Sequence, residues 1–251
     1  MGPAGAMSGG GPAWAPYCGP GPDPAGWLAQ WNFDPALIGA LALGLALALW
    51  RVSGRRRAAG VGAVLILTLI FVSPLCALSS ALFAARTVHH VLLVAVAAPV
   101  IARALPNRQT GPLALATAAQ AVVFWAWHAP AAYGWALSSD TAYWLMQLSL
   151  LGTAAWFWAG VRRASALAAV AALLLAMVAM GLLGALLTFA GEAVYAPHFL
   201  TTAAWGLTPL QDQQAAGLIM WAPAAAVYLA AALMALGRWI GPDARAGASP
   251  A

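Results

Sequence analysis

The 251-residue sequence predicts an all-α membrane protein, a polytopic bundle of seven transmembrane helices with its N-terminus outside and its C-terminus inside. Three observations predict it. The chain is 63% hydrophobic and 7% charged, whereas soluble domains carry roughly a quarter charged residues. Seven apolar runs approach the about 17–25 residues that a bilayer-spanning helix needs. Finally, all eleven basic residues are arginines, and they alternate between the ends of those runs with one consistent sense.

Residues 1–34 are rich in Gly, Pro and Ala and lack a basic stretch followed by an apolar one, so they read as a flexible outer tail and no cleavable leader. The predicted spans are Pro35–Val52, Ala59–Leu78, Val88–Ala104, Gly111–Trp127, Thr141–Val161, Ser165–Thr188 and Ala215–Leu236, within a transmembrane domain of residues 35–238. A short cytoplasmic tail, 239–251, follows. Arg51, Arg55, Arg56 and Arg57 lie between runs one and two, and Arg103 and Arg108 between three and four. Arg162 and Arg163 separate five from six, and Arg238 and Arg245 follow seven. Cytoplasmic loops retain basic residues, so this side is inside and only Arg86 is opposite.

The four histidines then fall at the outer side: His89 and His90 open run three, His128 ends run four, and His198 sits in the last outer loop. Imidazoles suit copper, iron and zinc. The plain alternative is interfacial histidines bonded to loop carbonyls. Adjacent helical positions differ by about 100°, so one of His89 and His90 faces the interior and the other faces headgroups or another helix. Pro130 stops the helix just after His128, fixing that ring near His90 if runs three and four are antiparallel neighbours.

Asp212, Gln213 and Gln214 precede the last run. Asp212 in a first helical turn complements the helix dipole. Gly217 lets another helix approach, and Met220 offers a thioether that packs a core or meets Cu(I). The two cysteines, Cys18 and Cys76, form no CxxC, which argues against a zinc site or a disulfide framework. Cys18, in the outer tail, is a thiol free to hold copper transiently or to form a disulfide. Nothing resembles a phosphate-binding loop, an HExxH pair or a nucleophilic triad, so the chain reads as a non-enzyme. The dispersed arginines exclude nucleic acid as a partner and leave the lipid bilayer.

Taken in order, Trp31-Asn-Phe-Asp34-Pro35, His90-Val-Leu-Leu, Trp127-His128-Ala-Pro130-Ala-Ala-Tyr133, Tyr195, and Leu210-Gln-Asp-Gln-Gln through Met220-Trp221 resemble the seven-span CtaG family of cytochrome c oxidase assembly proteins. The resemblance implies a multi-pass protein of the bacterial inner (plasma) membrane that helps mature a haem-copper oxidase. Its partners would be oxidase subunits or other assembly factors, with copper handled at the outer face. It points to His90, His128, His89 and Met220 as metal ligands, and to Asp212, Gln213, Gln214, Cys18, Tyr133 and Tyr195 as further functional positions. Many members carry His-x-x-x-His at the openings of spans three and five; this chain has Arg86 with His90, and Tyr143 with Gln147. Two other readings compete: a bis-histidine haem protein using His90 and His128, and a metal or small-solute permease. The apolar middles of the runs argue against the permease.

Overall fold

A computed structural model describes residues 14–106 and 111–240. Arg108 and Arg245, residues 1–13 of the predicted outer tail and all of the predicted cytoplasmic tail beyond Ile240 lie outside them. Among the described residues the architecture is all-helical. Every predicted run coincides with helix: α1 (Pro35–Arg51), α2 (Gly54–Phe71) with α3 (Leu75–Ala81), α4 (Phe83–Val91) with α5 (Ala98–Ala104), α6 (Leu113–His128), α8 (Asp140–Val161), α9 (Ala166–Thr188), and α10 (Pro209–Ile219) with α11 (Ala225–Ile240). A short helix, α7 (Pro130–Ala136), lies between α6 and α8.

Phe83–Ala104, Ala166–Thr188 and Pro209–Ile240 are long and apolar enough to cross a membrane, and α2 with α3 makes a fourth if that 41° bend lies within one span. Pro35–Arg51 and Leu113–His128 are apolar but shorter.

The breaks have local causes. Ser73-Pro74 separates α2 from α3. π-helical segments at Leu92–Ala97 and Met220–Ala224 join α4 to α5 and α10 to α11. Pro99 lies in the first turn of α5 and Pro223 within the second π segment. A proline removes one amide donor and crowds the carbonyl four residues back, and the wider π turn relieves that crowding.

Ser139 and Ser165 cap α8 and α9 through their hydroxyls. Thr208 and Gln211 form a reciprocal capping box on α10. Asp212 sits in the first turn of α10, as predicted, but its carboxylate is used elsewhere. It accepts from Phe83 N at 2.7 Å and Ala84 N at 3.0 Å, capping the start of α4 from another helix.

α10 and α9 meet at two glycines. A Cβ on Gly217 would lie 2.5 Å from Thr188 Oγ1 and 2.6 Å from Gly184 O. The close approach expected of Gly217 is therefore made, against α9. Elsewhere α11 packs on α9, α6 on α8, α5 on α2 and α8, and α4 on α10.

From Trp14 onward the stretch expected to be flexible is held at several points. Tyr17 Oη donates to Asp34 Oδ2 at 2.8 Å, Asn32 N donates to Val72 O at 2.9 Å, and Trp205 Nε1 donates to Pro22 O at 3.0 Å. Cys18 and Cys76 are joined by a disulfide, the second of the two roles open to Cys18, so Cys18 is not a free thiol for copper. The bond spans 58 positions, so no local motif announces it; it forms because the strap folds back over α3.

Candidate functional site

The Asp212 cap fixes the start of α4, and α4 then presents Arg86, His89 and His90 to the interior, all buried. Arg86 and His90 are four residues apart on one helix face. Tyr143 and Gln147 have the same spacing on α8. The two helices meet in two rungs, with the Arg86 guanidinium carbon 5.4 Å from the centre of the Tyr143 ring and Gln147 Nε2 3.5 Å from His90 Nε2. The four positions at which the resemblance anticipates paired histidines therefore form one square. In this chain it holds one imidazole, one amide, one phenol and one permanent cation.

Arg86 is fully buried, and none of its three guanidinium nitrogens has a well-formed hydrogen bond. Both ring nitrogens of His89 and Nδ1 of His90 are also unpartnered. His89 turns edge-on to Phe71 of α2, ring centres 5.1 Å apart, so the second histidine faces a neighbouring helix and not headgroups.

His128, at the end of α6, comes to His90 as expected. Their ring centres are 5.8 Å apart and nearly perpendicular. Two imidazoles sharing one ion at about 2.0 Å per bond place their ring centres about 5–6.5 Å apart, so the separation fits. His128 Nδ1–H donates to Phe124 O at 2.7 Å, which leaves the Nε2 lone pair free. A contact of 3.5 Å holds the His90 ring only weakly, so Gln147 does not lock its tautomer. Among the described residues no group of three His, Cys, Asp or Glu side chains converges to hold a metal. The arrangement suits an ion content with two soft or borderline nitrogen ligands, as Cu(I) is, better than one needing a closed tetrahedral shell.

A shell of aromatic residues fixes the histidines. Tyr195 Oη donates to His128 O at 2.7 Å, and its ring stacks on Phe83 at 3.9 Å. Tyr133 Oη lies 2.7 Å from His198 Nε2, while His198 Nδ1 lies 3.2 Å from Ala81 O. A carbonyl only accepts, so Nδ1 carries the proton and Tyr133 is the donor to Nε2. Burial lowers the His198 pKa to about 3 and pushes Tyr133 and Tyr195 upward. At the strap, the Tyr17 hydroxyl and the Ala36 and Leu37 amides hold the Asp34 carboxyl below its ordinary value. Burial and Asp34 raise Tyr17 in turn.

The remaining predicted positions serve different contacts. Gln213 accepts from Val194 N at 2.8 Å and donates to Glu192 O at 3.1 Å, and Gln214 donates to Ala190 O at 3.3 Å. Both pin the connection between α9 and α10 to α10. Met220 is buried where α9 packs, its Cβ 3.0 Å from where a Gly184 side chain would start. Cys18 lies in the disulfide, its sulfur 3.4 Å from Tyr143 Oη. Sequence reasoning missed Phe83 and Phe124, which pack on His128 with ring centres at 6.4 and 4.3 Å. It also missed the buried bond from Gln120 Nε2 to Tyr228 Oη at 2.9 Å. A lone glutamine inside an apolar run was the available signal for that pair.

A family model described as cytochrome c oxidase caa3 assembly factor (Caa3_CtaG) matches residues 110–241, just over half of the chain. The match contains His128, Tyr133, Tyr195 and the Asp212–Met220 segment, while Cys18, His89 and His90 precede it. No curated protein and no solved structure matches.

Proposed function

Since the chain belongs to the family of cytochrome c oxidase caa3 assembly factors, we propose that it holds or passes copper to a maturing oxidase at the outer face of a bacterial plasma membrane, through His90 and His128. The observation that carries this reading is the pair of buried imidazoles 5.8 Å apart, one with an unengaged Nε2. Copper is the cargo, and the two rings bind it without turning over a substrate. Oxidase subunits or other assembly factors are the partners.

This reading takes seven crossings with the N-terminus outside, which puts the histidines at the outer face. The runs supply seven helical segments, and the arginines mark one end as cytoplasmic. The Cys18–Cys76 disulfide adds an independent argument, because such bonds persist in oxidising compartments and are rare in the cytoplasm. The histidines lie at the disulfide's end of the bundle: Tyr143, which touches the Cys18 sulfur, is one turn from Gln147.

The bis-histidine haem reading is less well supported. Phe83 and Phe124 pack directly on the His128 ring, in the space a macrocycle would need. Oxidase activity and oxidase copper content in membranes of a deletion strain test the proposal. Wild-type complementation restores both and His90→Ala or His128→Ala restores neither, at unchanged protein level. Normal, copper-replete oxidase in the deletion strain overturns it.

A further inference from the structure

At the end of the bundle remote from the histidines, three helices finish on arginines around one cavity. Arg103 lies in the last turn of α5, Arg162 follows α8, and Arg238 lies in the last turn of α11. Together they line a cavity of about 320 Å³. The rest of its wall is apolar, including Val161, Leu173 and Met234, with Trp158 and Trp239 at the sides. Among the described residues no carboxylate lines it.

Carbonyl capping explains only part of this arrangement. Arg162 Nη1 donates to Ala102 O and Arg103 Nη1 to Pro99 O, the latter at 3.4 Å. A guanidinium has five N–H donors, so both retain unused donors, and Arg238 makes no hydrogen bond to any other described residue. Like charges are also crowded there: burial, and then Arg103, Arg163 and Arg56, push the Arg162 pKa downward. The first turn of α9 adds Ala166, at the positive end of a 23-residue helix. An anion held here would relieve the repulsion and use the spare donors.

The cavity also sits at a particular depth. Its lining includes residues at the ends of all three helices long and apolar enough to cross a membrane: Arg103 near the end of Phe83–Ala104, Ala166 at the start of Ala166–Thr188, and Arg238 near the end of Pro209–Ile240. Trp239 and Met234 are more than half exposed beside it, offering apolar surface toward the bilayer.

We propose that this cavity binds the phosphate headgroup of an anionic phospholipid, with Arg103, Arg162 and Arg238 around the phosphate and the Met234–Trp239 side against the acyl chains. Basic pockets between helix ends at the cytoplasmic surface suit such headgroups. A free phosphate shares the recognition chemistry but leaves the apolar wall unused.

The test is lipid retention by the detergent-purified full-length protein, read by native mass spectrometry in mixed micelles containing phosphatidylglycerol or phosphatidylcholine. Phosphatidylglycerol is retained in preference, and inorganic phosphate at equal concentration does not displace it. Arg103→Gln with Arg238→Gln lowers retention about twenty-fivefold, at about fivefold per arginine. Arg238→Gln alone removes a side chain with no hydrogen bond to any described residue, so it reports even if the double variant fails to fold. Arg55→Gln, outside the cavity, changes nothing. Equal retention of the two lipids, displacement by inorganic phosphate, or undiminished retention by Arg238→Gln would each overturn the proposal.

Discussion

The Arg86 guanidinium lies over the Tyr143 ring, 5.4 Å from its centre, one helical turn from the contact between His90 and Gln147. A permanent cation thus occupies one corner of a square whose next corner is an imidazole proposed to hold copper. Side chains one turn apart start about 5–6 Å from each other, and two unit charges about 6 Å apart at an effective dielectric of about 20 repel by about 3 kcal/mol. The square as it stands therefore disfavours divalent ions.

Replacing Arg86, Tyr143 and Gln147 together by histidine removes that charge and points four imidazoles into the square. Affinity for a divalent ion such as Co(II), followed by its visible absorption, should then rise on the order of a hundredfold or more. An unchanged affinity in a folded triple variant would show that the square is not a ligand-binding position. Arg86→Gln alone gives a smaller rise, and Arg86→Lys, which keeps the charge, gives none.

How much of this was legible can be seen residue by residue. The apolar runs became helices because a long apolar segment must satisfy its own backbone, and that follows from composition. His90 and His128 meet, but not by the route the short connection predicts: α6 packs on α8 and α9, while α4 packs on α10 and α5 on α2 and α8, so the two rings meet across the bundle interior and not along a shared helix–helix seam. Cys18 and Cys76 were not legible as a pair, since their contact depends on a strap folding back across 58 positions. The cap that Asp212 supplies to α4 was equally hidden. Sequence places Asp212 in its own helix's first turn, and only packing carries its carboxylate to Phe83 and Ala84.

Asp212→Ala should destabilise the protein by about 2–4 kcal/mol, because one buried and one part-buried amide donor at the start of α4 lose their acceptor. Asp212→Asn keeps one acceptor oxygen and should cost less. Thermal denaturation in detergent, followed by size-exclusion fluorescence, checks the order wild type, Asn, Ala. Equal melting of Ala and wild type would remove the cap from the account.

Gly217→Ala should destabilise by about 1–3 kcal/mol. The added methyl meets Thr188 N at 2.6 Å as well as Gly184 O at 2.6 Å, and backbone atoms cannot rotate aside. Gly152→Ala, with open space around it, is the matched control and should be neutral or slightly stabilising. The same melting assay separates the two, and equal effects would contradict the packing of α9 on α10.

Breaking the disulfide should loosen the strap. Cross-linking 58 positions is worth about 4 kcal/mol in the chain-entropy model, and less where the membrane already confines the unfolded chain. Cys18→Ser, Cys76→Ser and the double variant should lower the melting temperature alike. A dithiol reductant should bring wild type to the same value and leave the double variant unmoved. A further fall of the double variant on reduction would point to another cause.

His198 gives the chain a dependence on pH whose sign follows from its burial. Its folded-state pKa is about 3, against an ordinary value of about 6.5. Between those values the unfolded chain binds the proton and the folded one does not, so stability is full above about pH 6.5 and declines as the pH falls toward 3. The loss is about 1.4 kcal/mol per pH unit while only the unfolded form is protonated. His198→Gln can still donate to Ala81 O and accept from Tyr133, so it should fold while losing this increment. Melting temperatures of wild type and His198→Gln from pH 7.5 to 5 should converge as the pH falls. Parallel curves would mean that His198 is already protonated, or exposed, in the folded protein.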